Sequence, residues 1–287
     1  MTRCRVAAVV VTHNRRRVLA GTLHAIQAQT RPPDRVYVID NASADGTPEL
    51  LRTAFADTTH IRLGENLGYA GGLAWGIAAA RDDGFDTYWL FDDDSSPDVD
   101  ALDTLLAAHD DTPSGLVGSQ GGFVRHGLIR HLRDPRVHLE QQVAARPFGV
   151  DFVLLDGSIV QREVVDTIGL PRVDYFMMLE DVEFSLRARR AGFGITILPR
   201  DVVHRQTLGS IPGSALWRGY YQSRNQLRMA LDFRSPSLLF GCIARQVRII
   251  ASALRARDRR WERISLRWRG LRDALGGRMG RRVDPTS

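Results

Sequence analysis

The sequence predicts an α/β fold, a mostly parallel sheet flanked by helices, carrying a basic helical extension at its C-terminus. Three observations lead there. Short, fully apolar runs alternate with amphipathic segments through most of the chain. Two of those runs end directly in aspartate. The last part of the chain is arginine-rich with apolar residues at helical spacing.

Residues 6–11 read as a buried strand, 18–29 as an amphipathic helix, and 36–39, after Pro32-Pro33, as a second strand, which completes a βαβ unit. A helix over 49–55, a short strand over 61–63, a helix over 70–81 and a strand over 87–91 continue the alternation. Between Asp111 and Pro147 the pattern loosens into irregular strands and loops. It recovers with a strand over 152–155, helices over 162–168 and 181–191, and a strand over 195–198. A Gly/Pro/Ser-rich stretch near 207–214 divides a catalytic unit, 1–210, from the helical extension, 211–287.

With 287 residues, 44% apolar and 25% charged, the chain has the composition of a globular protein. Cys4 and Cys242 lack metal-ligand spacing and imply no disulfide framework, which fits a reducing compartment. The apolar run after Arg3 and Arg5 is too short for a signal peptide, and no run is long enough to span a bilayer. Every basic side chain is arginine, and thirteen of them lie between Arg245 and Arg282 against three acids, so the rest of the chain is net acidic.

The strongest chemical signal is Asp92-Asp93-Asp94 after the apolar Tyr88-Trp89-Leu90-Phe91. In extended chain Asp92 and Asp94 project to one side while Asp93 faces away. Adjacent carboxylates repel unless a cation compensates, and Mg²⁺ or Mn²⁺ held between carboxylates and a diphosphate does so. A solvated acidic loop is the plainer alternative. Asp40, ending the strand 36–39, is placed to accept hydrogen bonds from a nucleoside, or is simply a turn aspartate. The glycine-rich stretch 64–72 suits either phosphate approach or close packing. Glu180-Asp181 either caps a helix or, shielded by Tyr175-Phe176-Met177-Met178, supplies a basic carboxylate. His204 is a candidate imidazole ligand for the same cation. Tyr220, Tyr221, Arg224 and Asn225 share one helical stretch from which they would reach a diphosphate or sugar.

In this order, the pieces resemble glycosyltransferase family 2. The matching stretches are Val9-Val10-Val11-Thr12-His13-Asn14-Arg15, Val38-Ile39-Asp40-Asn41-Ala42-Ser43, 66–72, Phe91-Asp92-Asp93-Asp94 and the segment opening Glu180-Asp181-Val182-Glu183. The resemblance implies the GT-A fold, a Rossmann-like nucleotide-sugar domain. It implies that Thr12, Asn14 and Asp40 hold the nucleoside with Asn66 nearby, that Asp93 belongs with these nucleotide-sugar residues, and that Asp92 and Asp94 hold the metal. It makes Asp181 the catalytic base and Glu180 its orienting or acceptor-binding neighbour. Within the family the chain looks most like galactofuranosyl and rhamnosyl transferases of bacterial envelopes, and in the galactofuranosyl members a histidine at the His204 place joins the metal.

The expected partners are therefore a nucleotide-diphosphate sugar and a glycan or lipid-linked acceptor, in the cytoplasm at the inner face of the membrane. Residues 237–257 give an apolar helical face beside arginines, suited to an anionic bilayer surface or to packing on the catalytic unit. Nucleic-acid binding through the arginines is the rival from another class, but it leaves the acidic motifs without a purpose, so no nucleic acid is expected. A catalytically silent partner that binds nucleotide-sugar is the third reading.

Overall fold

The computed structural model describes residues 4–132, 146–206, 216–255 and 259–284. Its centre is an eight-stranded sheet. Four strands, β1 (Val6–Thr12), β2 (Arg35–Asp40), β3 (Thr59–Arg62) and β4 (Thr87–Asp92), lie parallel in the order β3-β2-β1-β4. The helices α1 (Arg16–Gln27), α2 (Thr47–Ala54) and α3 (Gly68–Asp82) connect them as the periodicity predicts.

β1 is buried along its whole length, and its alternate residues serve two cores. Ala7, Val9 and Val11 pack with Leu73 and Ile77 of α3, whereas Val6, Ala8 and Val10 pack with Leu19, Leu23 and Ile26 of α1. The glycines of α3 let the helix lie close: a Cβ on Gly72 would sit 2.4 Å from Val11 Cγ1, and one on Gly76 2.3 Å from Val9 Cγ1. Of the two readings open for the stretch 64–72, close packing accounts for Gly72, and the same holds for Gly76 beyond it.

Beyond β4 the chain adds a short strand β5 (Ser95–Pro97), the helix α4 (Ala101–Asp111) and a strand β6 (Leu116–Gly118). A hairpin follows, β7 (Gly121–Arg125) and β8 (Leu128–His131). The region expected to be irregular thus contributes β6 to the middle of the main sheet, between β11 (Ile159–Gln161) and β12 (Ile195–Ile197). β11 runs antiparallel to both β4 and β6, so the sheet is mixed rather than wholly parallel. The short β9 (Phe148–Gly149) closes its edge, β10 (Phe152–Val153) joins the hairpin, and β13 (Val203–Arg205) pairs with β5. Two helices on the α3 side complete the layer, α5 (Arg162–Ile168) and α6 (Glu180–Arg190).

The extension is helical: α7 (Leu216–Asp232), α8 (Pro236–Arg255) and α9 (Arg260–Leu275). The boundary expected at 207–214 lies outside the described residues. No helix among the described residues is long and apolar enough to cross a membrane. The start of α8 presses on the tip of the β7–β8 hairpin, where a Cβ on Gly241 would fall 1.9 Å from the carbonyl oxygen of Gly127. Backbone on backbone leaves nothing to give way. Gly241→Ala is therefore expected to lower the unfolding free energy by about 1–3 kcal/mol, read as a lower urea midpoint. An unchanged midpoint would mean that this contact does not bear on stability.

Candidate active site

The site forms at the carboxyl ends of β1, β2 and β4, where a parallel sheet leaves a crevice between connections. Thr12 closes β1 and donates from Oγ1 to Asp93 Oδ2 at 2.8 Å. Asn14, in a left-handed conformation (φ 53), accepts from the Ala44 N–H through Oδ1 at 2.7 Å, and its own N–H donates to Ser43 Oγ at 2.9 Å. These bonds tie the end of β1 to the loop after β2. Asp40 is completely buried. Its Oδ1 accepts from the Ser43 N–H at 2.8 Å, while Oδ2 has no hydrogen-bond partner and lies 3.8 Å from His60 Nε2. Asn66 accepts from the Gly68 N–H at 2.8 Å and so sets the entry to α3.

Asp92, Asp93 and Asp94 each offer a carboxylate oxygen within 4.8 Å of the others. A fourth acid, Asp156, joins them by accepting from the Asp92 N–H at 3.0 Å and from Ser95 Oγ. Two guanidiniums hold this charge. Arg15 pairs with Asp93 at 3.0 Å and Asp94 at 3.2 Å, and Arg205 with Asp94 at 3.2 Å, Asp156 at 3.1 Å and Asp92 at 3.6 Å. Four carboxylates against two guanidiniums leave a charge deficit of the size a divalent cation carries. Burial, then Asp93, Asp156 and Asp94, pushes the Asp92 carboxyl well above its ordinary range, with Arg205 opposing. Burial likewise raises Asp93 to about 6, against Arg15 and Thr12. Hard oxygen donors with unmet negative charge suit Mg²⁺ or Mn²⁺, so these residues fit such an ion.

His204 does not join them in this structure. Strand alternation in β13 sends Arg205 to the acids and His204 the other way, where Nε2 meets Asp98 Oδ1 at 3.1 Å on a half-exposed face. The expectation of a histidine ligand is corrected accordingly: the neighbouring arginine occupies the place.

Glu180 and Asp181 open α6, following three residues with positive φ, Phe176, Met178 and Leu179. Burial raises Asp181 to about 6, partly offset by the Val182 N–H, which donates to Oδ1 at 2.7 Å. Burial, then the charges of Asp181 and Asp92, raises Glu180 to about 8. The influence of Asp92 on Glu180 marks the two acidic motifs as neighbours. Acids of both motifs act on Tyr69, whose buried hydroxyl has no partner and whose pKa is driven far up by burial, then Asp156, Asp92 and Glu180.

The α7 residues have a different role from the expected one. Asn225 Nδ2 donates to the carbonyls of Tyr175, Met177 and Met178 at 3.1, 2.9 and 2.7 Å. Arg224 donates to the carbonyls of Tyr175 and Asp174 at 2.8 and 3.3 Å and to that of Gly280 at 2.5 Å. Tyr220 donates to Asp273 and Tyr221 to the carbonyl of Val283, both at 2.7 Å. All four are buried and committed to protein partners instead of reaching a diphosphate or sugar: Arg224 and Asn225 brace the strained loop before the acid pair, and Tyr220 and Tyr221 tie α7 to the residues of the later extension. Close approach tightens the same loop: a Cβ on Gly68, at φ +72, would fall 2.1 Å from the Phe176 carbonyl oxygen.

Arg15, Tyr69, Asp156 and Arg205 are site residues that the sequence reading omitted. Asp156 alone carried a signal, an acid before glycine at the end of the apolar 152–155 run.

The raised Glu180 value fixes a sign. A carboxyl that titrates near 8 in the fold against an ordinary 4.5 favours the protonated state, so stability falls as pH rises through that window. In metal-free buffer, Glu180→Gln is expected to raise Tm over the unsubstituted protein by a margin that grows from about pH 4.5 to about pH 8. A margin independent of pH would contradict this placement.

The family model described as glycosyl transferase family 2 matches residues 7–169. The galactofuranosyltransferase GlfT1 of Mycolicibacterium smegmatis is 32% identical over 217 residues, 69% of this chain and 70% of that protein. The N-acetylglucosaminyl-diphospho-decaprenol L-rhamnosyltransferase of Mycobacterium tuberculosis is 26% identical over 242 residues, 72% of this chain and 79% of its own. Among solved structures, a mannosyltransferase of Pyrobaculum calidifontis in complex with GDP-Man and Mn²⁺ superposes with a TM-score of 0.63 at 20% identity, covering 96% of this chain and 88% of that one. The sheet, its crevice and the helical layers are those of the GT-A fold. With more than half of its length matched by the family model, the chain belongs to glycosyl transferase family 2 and is a glycosyltransferase.

Proposed function

We propose that this glycosyltransferase works by metal-dependent inversion, moving galactofuranose, or as second choice rhamnose, from a nucleotide-diphosphate donor to a hydroxyl of an envelope glycan or lipid-linked acceptor. The observation that carries the proposal is the meeting of two unlike acidic groups at Tyr69. One is a carboxylate cluster short of positive charge; the other is a carboxyl pair raised by burial toward neutral pH.

Asp92 and Asp94 would hold Mn²⁺ or Mg²⁺, with Asp156 behind them. The ion, when bound, supplies charge stabilisation to the departing diphosphate. The chain's own groups perform the rest. Asp40 keeps a buried acceptor, Oδ2, for a donor group on the nucleoside, at the end of the strand where it would lie. Thr12 and Asn14 support this wall indirectly, by bonding Asp93 and the loop after β2. Arg205 and Arg15 add positive charge where phosphate oxygens would approach. Asp181 is the proton acceptor, because a carboxyl titrating near 6 is ionised at neutral pH yet more basic than an exposed aspartate. Glu180, near 8, is largely protonated at neutral pH and suits donation of a hydrogen bond to the acceptor.

Galactofuranose as first choice follows the name of the GlfT1 relative, and rhamnose that of the decaprenol-dependent relative, whose name also includes a lipid-linked diphosphate and so favours such an acceptor here. A membrane-surface location draws support from α8 and α9. Phe240, Ile243 and Val247 are 61%, 55% and 62% exposed on one face of α8, and Trp261, Trp268 and Leu275 recur exposed along α9 among arginines.

A panel of UDP-, GDP- and dTDP-sugars with Mn²⁺ or Mg²⁺ tests the donor by hydrolysis and thermal stabilisation. With the donor so found, Asp181→Asn is expected to keep metal-dependent donor binding and to lose about 10²–10⁴-fold in kcat. The kcat/KM of the unsubstituted enzyme should fall as pH drops below about 6. Near-normal turnover by Asp181→Asn would remove it from this role. Co-sedimentation with phosphatidylglycerol vesicles at low salt, weakened by added salt, is expected for the full chain, and no binding at low salt would reject the membrane reading.

A further inference from the structure

Outside the crevice, a cavity of about 270 Å³ opens between β8, α7, α8 and Leu179, the residue before the acid pair. Its polar lining includes Gln222, Gln226 and the arginines Arg130, Arg245 and Arg248, and no carboxylate among the described residues lines it. Arg245 is largely buried, yet its donors go to neutral amides: Nη1 to Gln226 Oε1 at 3.1 Å and Nη2 to Gln222 Oε1 at 3.0 Å. A guanidinium removed from water is ordinarily matched by a carboxylate, since leaving it unmatched is costly. Among the described residues, the charged groups that act on it, Arg267 and Arg248, have the same sign. Burial first, then Arg267 and Arg248, lowers the Arg245 pKa to about 10, so it stays charged at neutral pH while under strain from its neighbours. Arg267 is in the same position: burial and Arg263 lower it, and it donates to the neutral Ser223 Oγ at 3.4 Å.

We propose that this cavity binds the phosphate or diphosphate ester of a lipid-linked acceptor, holding it beside the acid pair whose Asp181 would deprotonate the acceptor's hydroxyl. Two guanidiniums and two amides supply donors only an anion with several oxygens can use together. The wall formed by Leu179 is continuous in the chain with Glu180 and Asp181, so a group seated here lies on the side of the fold that carries the acid pair. Across α8, at about 3.6 residues per turn, Arg248 falls between the Arg245 face and the exposed stripe of Phe240, Ile243 and Val247. Phosphate in the cavity and hydrocarbon along the stripe is the layout a lipid phosphate requires. The assignment rests on the transferase reading, and it identifies a site on the acceptor side that is separate from the metal-binding acids.

Because the acids need a cation to bind phosphate and the cavity does not, the test is run in EDTA. Titration calorimetry compares farnesyl diphosphate, farnesol and inorganic pyrophosphate on the full chain. Farnesyl diphosphate is expected to bind more tightly than either other probe. Arg245→Gln and Arg248→Gln are each expected to weaken it about tenfold, the scale of one charge-assisted hydrogen bond. Arg248 is exposed, so Arg248→Gln decides the matter should Arg245→Gln fail to fold. Equal binding of farnesyl diphosphate and farnesol, or wild-type affinity in Arg248→Gln, overturns the proposal. Metal-dependent donor hydrolysis is measured in parallel on the unsubstituted protein. Its absence would count against the transferase reading alone, leaving the cavity's binding result to stand or fall separately.

Discussion

Charge compensation at the end of β4 governs how the crevice is built. Four carboxylates crowd where the strand leaves the sheet, and a sheet buried on both faces offers them little water. Arg15, one residue before α1, and Arg205, in β13, pair with these acids and make the crowding tolerable. Each comes from a connection far from β4 in sequence. The long-range order of the crevice therefore follows from electrostatics as much as from packing.

The acid pair at the head of α6 depends on a different device. Three residues with positive φ, none of them glycine, precede it, and such a loop persists only where its surroundings over-determine it. Asn225 provides three of the bonds that do so, and Arg224 bridges the loop to Gly280. The helical extension is thus a structural part of the acid site. The division of the chain at residue 210 separates sequence character but not the framework that positions Glu180 and Asp181.

The buried strands and helices were legible because their apolar spacing was undiluted. The helix expected over 162–168 matches α5 residue for residue, stopped by Gly169, whose φ of +79 ends the turn. β6 escaped because two apolar residues between glycines carry no periodicity, although its neighbours in the sheet bury it completely. The acidic motifs were legible because like charges after a buried strand need an explanation. Tyr69, Arg15 and Arg205 were not, since nothing local distinguishes an arginine that crosses the fold to reach an acid from one that faces water. Arg224 and Asn225 drew attention as polar residues on a helix. Their partners, main-chain carbonyls about fifty positions upstream, are visible only in three dimensions. His204 failed by one residue of strand alternation, which sequence spacing alone does not fix.

The bracing of residues 174–178 by Arg224, Asn225 and Gly280 also sets a sequence in time. Gly280 donates its N–H to the Asp174 carbonyl at 2.7 Å and accepts from Arg224, so the brace is complete only once residue 280 has been added. A nascent chain leaving the ribosome can pair its first four strands early, while the full bracing of the acid pair must await Gly280, about a hundred residues downstream. Translation that stops short of that point yields a folded sheet whose acid pair lacks its full support.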